Sequence, residues 1–203
     1  MNVLTHPLAK PLFFLACMTP ILWLIGQALF GDLGANPVET ITHHTGDWAL
    51  RLLLLTLALT PIKKWTGQSQ WIRFRRMAGL FVYFYASCHF LIWFVADHSL
   101  DFASMLDDII KRPYITIGFL AFLLLTPLAI TSNGWMMRKL GRRWKVLHRL
   151  VYPILLLAVV HFLWLVKADY LEPGIYAMLG LLLLMVRVPG KKRKPARSTM
   201  QSV

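Results

Sequence analysis

Long apolar runs separated by short polar or basic stretches are what most restrict this chain. About 17 to 25 apolar residues in helical form cross a bilayer, and several runs here approach that length. Of the 203 residues, 57% are hydrophobic and 15% charged, against roughly 25% charge in soluble domains. Too little chain lies between the runs to build a separate soluble domain. The first run begins soon after Lys10 with no small-residue cleavage site behind it, so it reads as a retained helix rather than a signal peptide.

The spacing predicts an all-α membrane protein, a six-helix transmembrane bundle, with spans at residues 11–30, 47–62, 77–96, 113–130, 146–166 and 173–188. Residues 31–46 read as a loop, because Gly-Asp, Asn-Pro and Thr-Gly act there as breakers. Residues 97–112 form a polar connection, within which 100–110 has the pattern of a short amphipathic surface helix. Residues 1–10 are the N-terminal segment, 11–188 the transmembrane domain and 189–203 a basic tail of low apolar content. No internal repeat stands out. Cys17 and Cys88 sit in apolar runs at different depths, which suits small buried residues rather than a disulfide.

Charge orients the bundle. With the N-terminus inside, 18 of the 22 Lys and Arg fall on the inner side, and all nine Asp and Glu fall on the outer side. The positive-inside rule counts only Lys and Arg, and it predicts both termini in the cytoplasm of a polytopic inner-membrane protein. Net charge of +13 on a soluble domain would suggest nucleic acid. Here the cations flank apolar spans and face a membrane surface instead.

Titratable side chains inside a bilayer are costly and point to function. His89 lies about 12 Å in from the outer end of the third span, and His161 about 9 Å in from the outer end of the fifth. The two are expected at similar depth. His148 lies near the inner end of the fifth span, and Arg75 at a comparable depth on the third. Neutral imidazole is an axial ligand of haem iron, and a flat, largely apolar macrocycle suits a bundle interior. Arg75 and His89 are 14 residues apart and within about 40° of one helix face. His148 and His161 are 13 apart, about 220° round an ideal helix, and share a face only if Pro153 re-phases it. The competing reading for each histidine is a hydrogen-bonded interhelical contact. His43 and His44, in the first outer loop, are candidates to touch a haem edge, a quinone or a partner, against a solvated loop pair.

Several stretches carry a family pattern: Leu-Gly-Ala-Asn-Pro-Val at 33–38, His-His-Thr-Gly at 43–46 and Ile-Arg-Phe-Arg-Arg-Met-Ala-Gly-Leu at 72–80. Arg-Pro-Tyr-Ile-Thr-Ile-Gly at 112–118, Arg-Lys-Leu-Gly-Arg-Arg-Trp-Lys-Val-Leu-His at 138–148 and Val151-Tyr152 follow, with His89 and His161. In these the chain resembles the ferric-reductase-like transmembrane superfamily, in its branch of haem-binding membrane subunits of MsrPQ-type methionine sulfoxide reductase systems. The resemblance implies one or two haems b between the third and fifth helices, ligated by histidines 13 or 14 residues apart on each. His89 with His161 then hold the outer haem. An inner haem has His148 and, where a second histidine is expected, Arg75, another ligand or an open position. A guanidinium stays protonated and ligates poorly, but it pairs with a propionate.

The implied role is an electron conduit with no catalytic residue of its own. Electrons come from the quinone pool or a cytoplasmic flavin reductase, with FMN linked to the family, and go to a periplasmic MsrP-type molybdopterin subunit that reduces methionine sulfoxide. No G-x-G-x-x-G fingerprint follows a strand in this chain. Competing classes are a stand-alone quinol or metal reductase, a haem-free assembly factor, and a histidine-dependent transporter, the last disfavoured because no acid lies mid-span.

Overall fold

In the computed structural model, which describes residues 3–166 and 169–187, the chain is a bundle of α-helices. These are α1 (Ala9–Phe30), α2 (Pro37–Thr66), α3 (Ile72–Ala96), α4 (Phe102–Lys111), α5 (Pro113–Ile130), α6 (Gly134–Leu140), α7 (Arg142–Leu147), α8 (Val151–Leu165) and α9 (Leu171–Met185). Five stretches are long and apolar enough to cross a membrane: α1, α2, α3 with the turn before it, α5, and the run Arg142–Leu165. The sixth apolar helix, α9, is shorter at 15 residues. Helices satisfy their own backbone polar groups, which lipid requires. This is a multi-pass membrane protein. Lys167 and the basic tail at 189–203 lie outside the described residues.

Three predicted spans change. The expected loop at 31–46 is mostly helix, because α2 begins at Pro37, ten residues before the predicted start. Asn36-Pro37 is a start signal rather than a breaker: the Asn36 side chain accepts from the Glu39 N–H and donates to the Glu39 carboxylate at 2.9 Å. Proline at the first helical position loses no bond. The predicted continuous fifth helix at 146–166 is instead α7, a 3-10 turn over His148–Leu150, and α8. Pro153 has no N–H for the Arg149 carbonyl, so the α pattern breaks there. The third helix also starts five residues early, which places Arg73, Arg75 and Arg76 on its first turns.

The core sits around α2. Its most apolar window is 50% buried, against 17% for α1, so α2 is central and α1 peripheral. Leu53, Leu57, Tyr85, Ile154 and Leu155 are almost wholly buried there. α2 packs on α3, α5 on α8, and α9 on α8 and α2. Proline sites are filled by neighbours. Beside Pro20 in α1, the Tyr85 hydroxyl sits between two backbone groups, donating to the Cys17 carbonyl at 2.8 Å and accepting from the Ile21 N–H at 3.1 Å. On the acidic side, Arg51 of α2 donates to Tyr176 at 2.7 Å and Glu172 at 3.1 Å, tying down α9. The surface helix at 100–110 forms as α4, started by Asp101, whose carboxylate accepts from the Ala103 N–H at 2.9 Å. Met105 and Ile109 bury its inner face against Phe94.

Candidate functional site

His89 on α3 and His161 on α8 face each other across the bundle, ring centroids 6.3 Å apart and planes at 81°. Both line one cavity of about 610 Å3 between α2, α3, α5 and α8, within the range of cofactor sites. Each ring is held the same way. His89 Nδ1 donates to the Thr42 carbonyl at 2.9 Å, and His161 Nδ1 to the Tyr114 carbonyl at 2.7 Å. In the neutral ring that leaves the lone pair on Nε2, the tautomer a metal-ligating histidine adopts. One turn past each carbonyl is a glycine against which the ring lies. A Cβ on Gly46 would stand 3.0 Å from His89 Nδ1, and one on Gly118 would stand 2.8 Å from the His161 ring.

The likeness runs through the whole site. Thr42, Gly46 and His89 match Tyr114, Gly118 and His161 at a constant offset of 72 residues. Ala49, Leu53 and Ala86 match Ala121, Leu125 and Ala158, and His89-Phe90-Leu91 matches His161-Phe162-Leu163. Most of these positions line the cavity in both halves. The chain thus contains the internal repeat that the sequence by itself did not bring forward, an α2–α3 hairpin and an α5–α8 hairpin. Sequence reasoning missed Gly46 and Gly118 as well. The signal that finds them is a glycine 43 residues before a histidine, occurring twice.

The other expected residues divide. His148 lies in the 3-10 turn with its ring stacked on Trp144 at 3.9 Å and its Nε2 3.1 Å from the Thr131 hydroxyl. The nitrogen that His89 and His161 keep free is the one His148 uses. Arg75 interacts electrostatically with His148 across the bundle. By the 72-residue offset, however, the counterpart of His148 is Arg76, which is exposed. His43 and His44 are part of α2 and point to different places. His43 lines the cavity. His44 is turned to α1, with Nε2 3.2 Å from the Pro20 carbonyl and its ring stacked on Trp23. At the cavity mouth stands Arg112, whose Nε donates to Asp108 at 2.7 Å.

The donor set fits a haem. Two imidazoles each about 2 Å from a shared metal, on opposite sides of it, bring their ring centroids to roughly 6 Å. The walls are Leu, Val, Phe and Ala, and the polar groups His43, Asn36 and Arg112 are among those at the outer mouth.

Residues 45–159 match the family described as "Ferric reductase like transmembrane component". A relative from Xanthomonas axonopodis pv. citri (strain 306) is 50% identical over 197 residues, 94% of this chain and 89% of its own. One from Bordetella parapertussis is 48% identical over 192 residues, 93% of each chain. Both are called "Protein-methionine-sulfoxide reductase heme-binding subunit MsrQ". No solved structure matches the chain. With half its residues identical to such relatives across nearly its whole length, the chain belongs to the MsrQ family of the ferric reductase-like transmembrane components.

Proposed function

We propose that this protein holds haem b between α3 and α8 through His89 and His161 and relays electrons across the bacterial inner membrane to a periplasmic MsrP-type methionine sulfoxide reductase. The observation that carries this reading is the facing pair of imidazoles, each fixed at Nδ1 and packed on glycine. Bound haem supplies reversible one-electron chemistry. The chain's own residues present two lone-pair nitrogens at one depth and fix their planes through the Thr42 and Tyr114 carbonyls. Apolar side chains of the cavity would keep water from a bound metal, and Arg112 and His43, which also line it, would pair with the propionates.

Electrons enter from the basic, cytoplasmic side, where both termini lie. A quinol or a cytoplasmic flavin reductase is the donor, and FMN enters the reading by family resemblance alone. A second haem, if bound, uses His148, released from Thr131, with Arg75 beside it as a propionate partner. The acidic outer face meets the partner.

The deciding experiment is a reduced-minus-oxidised spectrum with haem counted per chain on the purified protein. Low-spin b-type bands lost in both His89→Ala and His161→Ala support the pairing. Retention of the full signal in either variant, or no haem at all after expression with ample supply, rejects it.

A further inference from the structure

The basic end of the bundle contains a charge problem that the chain does not solve itself. Arg187, two residues beyond α9, turns its guanidinium inward between helices. Its Nη2 donates to the Leu57 carbonyl. That acceptor is free because Pro61, four residues on, has no N–H to bond it. The guanidinium also lies over the Tyr152 ring at 5.6 Å. Its Nε and Nη1 are shut off from solvent with no acceptor among the described residues, and so is the hydroxyl of Thr60, one turn below Leu57. The Tyr152 hydroxyl interacts with Arg187 but carries no charge, while Arg75 approaches as a second cation.

No carboxylate side chain of this protein can balance them. All nine Asp and Glu lie toward the other end of the bundle, in the connections or in the parts of α2, α4 and α9 nearest them, and residues 173–203 contain none. A buried charge requires a partner, and two like charges in a low dielectric require one more strongly. The orphaned donors belong to a planar guanidinium, whose fork matches an oxyanion.

We propose that Arg187, with Thr60, binds a phosphate group at the basic surface of the bundle, with Arg75 adding positive potential nearby. Phosphate accepts several donors at once, as this cluster offers, and it is present both in phospholipid headgroups and in soluble phosphate esters. The site is on the opposite side of the bundle from the mouth of the histidine cavity, and its argument does not use haem.

The test is thermal unfolding of the purified full chain with two probes. One is inorganic phosphate against chloride at matched ionic strength. The other is reconstitution in phosphatidylcholine nanodiscs with a rising share of phosphatidylglycerol. A saturable rise in melting temperature is expected in at least one series. In Arg187→Met, half-saturation should need at least tenfold more probe, and Arg75→Gln, which keeps the buried arginine, should show a smaller shift in the same direction. Response to inorganic phosphate identifies a soluble ester site, and response to phosphatidylglycerol alone identifies a headgroup site. The proposal is overturned by no saturable response in the native chain, by an equal response in both variants, or by loss of haem without any phosphate dependence, which would give the arginines to a propionate.

Discussion

The α2–α3 and α5–α8 hairpins carry the same carbonyl, glycine and histidine at the same spacing, yet they differ at the basic end. In the first hairpin both helices run unbroken, α2 for 30 residues and α3 for 25, and arginines stand where the second hairpin has His148. In the second, the helix breaks at His148–Leu150, and the histidine is fastened to Thr131 and Trp144. On the proposed reading, the half of the site near the acidic face is symmetric because one metal needs two equivalent ligands. The basic half is free of that demand and has diverged into one anchored histidine and a group of cations. Repetition therefore marks where a function needs both hairpins, and divergence marks where it does not.

The largest effects test the symmetry directly. His89→Ala and His161→Ala should each remove the same low-spin haem signal and lower haem per chain by one. A residual half-signal in only one of them would show the halves to be inequivalent. The glycine cradle is next. Gly118→Ala puts a Cβ 2.8 Å from the His161 ring, and Gly46→Ala puts one 3.0 Å from His89. Both should weaken haem retention, on the order of the 10- to 100-fold seen for groups that orient metal ligands, with Gly118→Ala the worse. Gly26→Ala, which meets nothing within 4 Å, is the control. Electron paramagnetic resonance of the oxidised native protein should show strongly anisotropic low-spin iron, since the ring planes stand at 81°. A rhombic signal from parallel rings would contradict the cradle geometry.

Smaller effects probe the divergent ends. His148→Ala should leave the His89–His161 signal intact and change a different band or none. Loss of all haem in this variant would break the comparison by moving the site to the basic half. Tyr85→Phe removes both hydrogen bonds beside Pro20. It should cost about 1 to 3 kcal/mol of stability, visible as a few degrees in melting temperature, with haem content unchanged.

Much of the site was legible before folding. His89 and His161 were placed at one depth by counting 1.5 Å per residue from span ends, and the structure brings their rings together. The angle of about 220° between His148 and His161 argued against one shared face unless the helix is re-phased near Pro153, and the structure has a 3-10 turn over His148–Leu150 there. The start of α2 was misread because Asn-Pro serves turns and helix N-termini alike. Only the Glu39 side chain reaching back to Asn36 separates the two uses. His43 and His44 looked like a pair because they are adjacent. On a helix, neighbours point about 100° apart, so one enters the cavity and the other meets α1.

The sequence by itself determined the membrane setting, the number of apolar helices and the depth of each histidine, because hydropathy, charge bias and rise per residue act along one chain and need no neighbour. The tertiary structure decided which nitrogen each imidazole keeps free, which glycines the rings pack on, that two hairpins repeat, and that half-buried Arg187 turns two nitrogens inward that are unpaired among the described residues. Those properties are contacts between residues 43 to 130 positions apart, and contacts at that distance exist only once the helices have packed.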